Sequence, residues 1–231
     1  MNNAAGVSII LPVVNEHGLI RSGLDHFLSA GAKEVVVVDG GSEDGTFEIT
    51  RNEYPAVRLF RVSQPNRALQ MNLGASQATG DIFLFAHADM RLPSDAVALV
   101  QERMEREFVG GGFMKRYVPS SFLLGVHCFF LNVLFFSGVR LMAGTNALFV
   151  KKEVFRKVGG FPAEPFLEDI LFIDRLKKEG RLAAIPKSVD VSPRRYLEKG
   201  VLKQILRNGG ILLRHHMLRQ DPSRLKEIYE R

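Results

Sequence analysis

Three apolar runs in this chain each end on side chains that can do chemistry. Pro12, Asn15 and Glu16 follow "SIIL", Asp39 follows four consecutive valines, and His87 and Asp89 follow "IFLFA". Carboxylates at the tips of buried strands are costly unless something pairs with them, so three such ends together point to a cleft. A strand-tip carboxylate can hold Mg2+ or Mn2+ while diphosphate oxygens and water fill the ion's other positions, and Asp89 is the candidate ligand. His87 lies two residues earlier on the same strand face. It can ligate a softer ion such as Mn2+, touch phosphate, or sit in the core bonded to backbone. Arg67 opens a helix, where guanidinium and helix dipole both favour phosphate, although a surface arginine is equally ordinary there. Glu168 and Asp169 stand together at another helix start. One can act as general base while the other hydrogen-bonds or caps. Arg194 and Arg195 make a cationic pair suited to a diphosphate leaving group.

The elements that must position these residues alternate. "VSIILPVVNE" reads as a strand ending at Pro12, and Ile20, Leu24, Phe27 and Leu28 give helical spacing up to Gly31. The valine strand delivers Asp39 to "GGSEDGT", where two glycines permit a sharp turn or a ligand against bare backbone. Ser42 and Asp44 are natural caps for the helix beginning near Gly45. A strand "VRLFRV", a helix "RALQMNLGASQAT" and a strand "IFLFAHAD" follow. Such alternation predicts right-handed βαβ units and a mainly parallel sheet flanked by helices, with ligands at the carboxyl ends of its strands. Ser94 is expected to cap the next helix, whose stripe is Val97, Val100, Met104 and Phe108. "GGGFMKRYV", "ALFV" and "LAAIP" read as strands, and "EDILFIDRLKKEG" as a helix.

Two later segments are less regular. "FLLGVHCFFLNVLFF", Phe122 to Phe136, would span only about 22 Å as a helix, short of a bilayer's roughly 30 Å core. A buried helix or an oligomer contact is expected there, ahead of a membrane-surface element. The last helix, Val201 to Leu218, carries Leu202, Ile205, Leu206, Leu213 and Met217 on one side, with basic residues beside them and Gly209 and Gly210 interrupting. Either the stripe packs on the sheet, or it lies on a membrane surface.

Composition narrows the class. With 231 residues, no linker and no repeat, a single domain is expected: residues 1–93 as its nucleotide-binding half, 94–196 as its acceptor and catalytic half, and 197–231 as a basic helical segment. The start "MNNAAGVSIILPVVNE" has no basic region before its apolar run, so no signal peptide is expected. One cysteine, Cys128, allows no internal disulfide and fits the reducing cytoplasm. The formal charge is +6. Residues 194–231 hold ten Lys/Arg against four Asp/Glu, so the whole excess lies there. An anionic partner follows: substrate phosphates or an acidic membrane. Nucleic acid is disfavoured because exposed aromatics do not interleave with the basic residues.

"SIILPVVNE", "VVVVDGGSEDGT", "NRALQMNLGASQATGDIFLFAHAD", "GGFPAEPFLEDILFIDRLKKEG" and "SPRRY" together resemble the inverting nucleotide-sugar glycosyltransferases of family 2, which have a GT-A fold. The likeness runs over nearly the whole chain and is nearest to the radical-SAM/selenodomain-associated transferases. It implies a nucleoside diphosphate sugar donor, a divalent cation (Mn2+ or Mg2+) and an acceptor it does not identify; the basic tail is what suggests a lipid-linked acceptor at the inner face of the membrane. By this resemblance Pro12, Asn15, Glu16 and Asp39 line the nucleoside pocket, and Arg67 and Asp81 frame it. Asp89 is the metal-binding acid of the D-x-D motif, Asp169 the catalytic base, and Arg195 the diphosphate contact. The motif reads His87-Ala88-Asp89, so one carboxylate of the usual pair is missing. Asn146, in "AGTNALFV", replaces a residue that contacts donor or acceptor, and Tyr196 replaces a tryptophan. The rival readings are a nucleotidyltransferase, against which the absence of a lysine-containing phosphate loop counts, and a binding protein for nucleotide sugar or anionic lipid.

Overall fold

The structure, a computed structural model, describes residues 5–137, 142–163, 166–218, 224–225 and 228–229, with backbone alone at 216–218. Among the described residues seven strands form one sheet: β1 (Val7–Val13), β2 (Glu34–Asp39), β3 (Arg58–Arg61), β4 (Ile82–Phe85), β5 (Phe108–Tyr117), β6 (Phe149–Lys151) and β7 (Arg181–Val191). Their order is β3-β2-β1-β4-β6-β5-β7. β6 runs antiparallel to both β4 and β5, and the other pairings are parallel. Among the described residues the helices are α1 (His17–Leu28), α2 (Thr46–Glu53), α3 (Arg67–Gln77), α4 (Ala96–Met104), α5 (Phe122–Phe136), α6 (Lys152–Lys157), α7 (Glu168–Glu179), α8 (Arg194–Lys199) and α9 (Val201–Leu218).

Period-2 alternation divides the strands between two cores. Ile9 and Leu11 of β1 face Ile20, Leu24 and Phe27 of α1, Val97 and Val100 of α4, and Leu124 of α5. Ile10, with Val36 and Val38, faces Met71 and Ala75 of α3 and Phe172 and Ile173 of α7. Both faces of the central strands are covered, which is why β2 reads as an unbroken valine run. Pro12 can sit in a central strand because β4 pairs with β1 only as far as Ile10.

Glu34 clasps the amino ends of the strands. Its carboxylate accepts from Ser8 Oγ of β1 at 2.6 Å, Arg58 Nη1 of β3 at 2.9 Å, and the Thr79 backbone N–H at 2.5 Å. Burial alone would raise its pKa, but these bonds outweigh it and hold the group at about 2. A depressed carboxyl stabilises the fold above its unfolded value near 4.5, and that stability is lost as pH falls from there through the folded value. Glu34→Gln should therefore cost about 1–2 kcal/mol at neutral pH. Denaturant melts of the two proteins should converge as pH falls from 4.5 toward 2.

Several expected features differ. α4 starts from Asp95, not Ser94, and Phe108 belongs to β5. β4 stops at Phe85, so His87 and Asp89 ride on the turn beyond it. α6 and α8 were not anticipated from the sequence, being only six residues each. α5 is not a buried helix: Leu124, Cys128 and Phe135 point inward, while Phe122 is 89 % and Phe129 65 % exposed. On α9 it is Gln204 and Ile211 that are buried, whereas Leu202, Leu206 and Leu213 are exposed, so the expected stripe does not pack on the sheet. The Met217 side chain lies outside the described residues. Among the described residues no helix is long and apolar enough to cross a membrane.

Candidate active site

The carboxyl ends of β1 and β2 are knitted together by side chains that bond backbone. Ser42 Oγ accepts from the Asn15 N–H, Thr46 Oγ1 from the Glu16 N–H, and Asp44 from the His17 N–H. Asn15 takes φ +52° and uses its carboxamide oxygen to accept from the Glu43 N–H. Ser42 thus ties two loops together, and Asp44 caps through its bond to the Thr46 N–H while Gly45 occupies the N-cap position. Gln70 of α3 donates to Val13 O and Val38 O, pinning both strand ends from below.

Asp39 is fully buried at this junction. Its Oδ1 accepts from the N–H groups of Gly41 and Ser42, both at 3.0 Å, and faces Arg61 Nε at 3.2 Å. Gly41 adopts φ +88°, a conformation a side chain would strain. The other oxygen, Oδ2, has no protein partner. A buried acceptor left open is costly unless a ligand donates to it. Beside it lies a cavity of about 500 Å3 lined by Gly41, Glu43, Arg61, Val62 and Ser63, with the Arg61 guanidinium held 4.8 Å from the Phe47 ring centroid.

Asp89 follows β4, and its carboxylate has no hydrogen-bond or ion-pair partner among the described residues. Glu16 is close enough to feel it. Burial raises the Glu16 pKa, Arg194 opposes that, and the charges of Asp89 and Asp44 add to the rise. Arg194 Nη2 stands 4.0 Å from Glu16 Oε1. Two neighbouring carboxylates, one without a partner, could hold a divalent cation, which would supply positive charge to a bound diphosphate. Among the described residues no three His, Cys, Asp or Glu side chains gather into a metal-binding group. His87 is placed differently from a ligand. Its Nε2 meets Arg67 Nη2, and burial, then Arg67 and Arg195, push its pKa well below the usual value. The Nε2 that a metal would need is occupied by the Arg67 guanidinium.

Arg67 also approaches Glu168, Nε to Oε1 at 3.5 Å. Burial and the adjacent Asp169 raise the Glu168 carboxyl, while Arg67 and Arg195 counter them. Asp169 is held at the first turn of α7: Oδ2 accepts from the Gly144 N–H at 2.5 Å and Oδ1 from the Ile170 N–H at 2.8 Å. Leu167, just before, takes φ +63°, a strained value for a leucine that sets the angle of this pair. A Cβ at Gly144 would lie 2.5 Å from Arg67 Nη2, so any side chain there would displace the guanidinium.

Two expected site residues stand elsewhere. Asp81 is at the opposite end of β4, where its side chain accepts from the Gly6 N–H, so it cannot frame a pocket at the carboxyl ends. Asn146 is buried and spends its carboxamide on backbone, accepting from the Ala143 N–H and donating to Phe113 O. It braces the 3-10 turn Gly144–Asn146 from inside the fold. Sequence reading missed Arg61, Gly144 and Lys115. The last is a buried lysine of β5 donating to Thr145 Oγ1 at 3.2 Å; burial lowers its pKa, and Cys128 and Asp169 partly offset this. A lone lysine in "GGFMKRYV" gave no signal beyond a charge within a strand.

The short helix that carries Arg195 is anchored by the next residue. The Tyr196 hydroxyl meets Tyr117, His127 and Asn208 at 3.1–3.3 Å, joining α8 to β5, α5 and α9. Residues 8–154 match the model of glycosyl transferase family 2, more than half of the chain. The chain belongs to glycosyl transferase family 2. It is 30 % identical over 178 residues to glycosyltransferase AglE of Haloferax volcanii, covering 68 % of this chain and 56 % of that one. Against a dolichol-phosphate mannosyltransferase of Pyrococcus furiosus it is 29 % identical over 105 residues, 43 % of this chain and 30 % of that one. The chain thus spans about half or less of the curated relatives it matches.

The family fold is shared with solved structures. A mannosyltransferase, PcManGT from Pyrobaculum calidifontis, in complex with GDP-Man and Mn2+, superposes with TM-score 0.71 at 22 % identity, covering 99 % of this chain and 69 % of that one. S. aureus TarS 1-349 in complex with UDP gives TM-score 0.63 at 18 % identity, covering 97 % and 69 %. The mixed sheet with helices on both faces is a GT-A fold.

Proposed function

We propose that the chain moves a sugar from a nucleoside diphosphate sugar to an acceptor hydroxyl with inversion at the anomeric carbon. The observation that carries this reading is the partnerless Oδ2 of buried Asp39 at the end of β2, on the same sheet edge as the unpartnered carboxylate of Asp89 beyond β4, with the end of β1 between them. The first suits a nucleobase N–H. The second suits the metal side of a diphosphate. The GDP-Man, Mn2+ and UDP held by the two similar structures support the same donor class. Within the family, the motif set is nearest the radical-SAM/selenodomain-associated group.

On this reading Pro12, Asn15 and Asp39 bound the nucleoside pocket, with Arg61 added as a lining cation. Asp89, with Glu16 beside it, would hold Mn2+ or Mg2+, which when bound supplies positive charge to the departing diphosphate. Arg195, exposed at the start of α8, and Arg67 supply fixed cationic charge to the same phosphates. Neutral His87 orients Arg67 by accepting from it. Asp169 takes the proton from the acceptor hydroxyl as that oxygen bonds to the anomeric carbon. The bond from that carbon to the phosphate oxygen breaks, and its electron pair leaves with the diphosphate. Glu168 holds Arg67 in place. Residues 1–93 thus serve the nucleotide and 94–196 the acceptor and base.

A thermal-shift screen with UDP, GDP and dTDP sugars, with and without Mn2+, tests the donor assignment. One base should raise the melting temperature by several degrees, more with Mn2+ than without. No shift with any of them would refute it. The acceptor on this reading is a hydroxyl compound, lipid-linked if the enzyme works at the inner membrane face, and the single buried Cys128 accords with a cytoplasmic setting.

A further inference from the structure

α5 and α9 expose apolar side chains on a scale unusual for a surface. On α5, Phe122, Val126, Phe129, Phe130 and Val133 are all exposed. At about 100° per residue they fall within a band of about 100°, opposite the inward-facing Leu124 and Cys128. The three phenylalanines alone present on the order of 400 Å2, since each ring carries about 200 Å2. On α9, Leu202, Leu206 and Leu213 are exposed and fall within about 40° of one another. α9 packs against both α5 and α8. Summed over the two helices, this exposed apolar surface exceeds the roughly 300–600 Å2 of a typical monomer's largest patch.

The charge beside this surface says what covers it. Lys199, Lys203 and Arg214 are exposed on α8 and α9, and the segment 194–231 carries the whole formal excess of +6. We propose that α5 and α9 form a docking face for an anionic lipid bilayer. The phenylalanines and leucines enter the interfacial layer, and the lysines and Arg214 meet the anionic headgroups. α5 has 15 residues, about 22 Å as a helix, so it lies in the surface and does not span it. A second copy of the chain is the weaker occupant, because joining two such faces would bring two strongly basic segments together. The face does not depend on the chemistry assigned to the cleft.

The chain contains no tryptophan, so a single introduced indole reports insertion. In Phe129→Trp, vesicles of phosphatidylcholine with about 30 % phosphatidylglycerol should blue-shift the emission, and pure phosphatidylcholine should not. Leu28→Trp, on α1, should stay unshifted with both. Cosedimentation should be at least tenfold stronger on the anionic vesicles, should weaken with salt, and should fall at least tenfold in Phe129→Asp/Phe130→Asp and in Lys199→Gln/Lys203→Gln. These variants should keep the parent's donor-induced thermal shift, so a failure of docking is distinguishable from a failure of the transferase reading. Absence of binding at low salt would overturn the proposal. So would an indole already blue-shifted without lipid in a protein that sediments as a dimer, which would assign the face to a second copy.

Discussion

Asp169→Asn should lower turnover by about 100-fold or more while leaving the affinity for donor nucleotide within about twofold. The change removes a proton acceptor used only as the acceptor hydroxyl attacks. An asparagine oxygen can still take the Gly144 N–H, so the turn that approaches Arg67 keeps its shape. Glu168→Gln makes the useful contrast. Its carboxyl is raised by burial and by Asp169, and it contacts Arg67, so its loss should weaken donor binding more than it slows chemistry. Steady-state rates alongside calorimetric affinities separate the two. A larger loss of turnover in Glu168→Gln than in Asp169→Asn would move the base to Glu168.

Asp89→Asn should abolish the part of donor affinity that depends on Mn2+. A neutral amide oxygen competes poorly with water for a divalent ion, and Glu16 alone, raised by burial and half committed to Arg194, does not replace it. The variant should bind nucleotide with the same affinity with or without Mn2+, at the level of the metal-free parent. His87→Ala should instead lower affinity both with and without the metal, because it releases Arg67. Equal stimulation of parent and Asp89→Asn by Mn2+ would remove Asp89 from the metal site.

What could be read from the sequence followed the strength of local pattern. The valine run, the strand before Pro12 and the helix over Glu168–Glu179 have long periodic signals, and the sheet alternation with its carboxyl-end residues came with them. Asp39 stood out because a carboxylate ending four valines has few structural uses. Asp81 was misplaced because its role was carried over from the family resemblance, although it precedes the strand Ile82–Phe85 and so lies at the sheet's amino end. Asn146 was misread for a different reason. Its two backbone partners, Ala143 and Phe113, are set by how β5 meets the Gly144 turn, a contact across 33 positions. The outward face of α5 was hidden because an apolar run of 15 residues is the same whether core or membrane receives it. Only the inward choice of Leu124, Cys128 and Phe135 shows which side faces out.

The central claim is inverting transfer from a nucleoside diphosphate sugar. It is tested most directly by proton NMR of the protein with Mn2+ and the donor chosen by thermal shift, water serving as acceptor. The anomeric proton of the first sugar released should have the configuration opposite to that in the donor, appear together with free nucleoside diphosphate, and be missing with Asp169→Asn. Release with the donor's own configuration, or turnover of a nucleoside triphosphate in place of any sugar nucleotide, would contradict it.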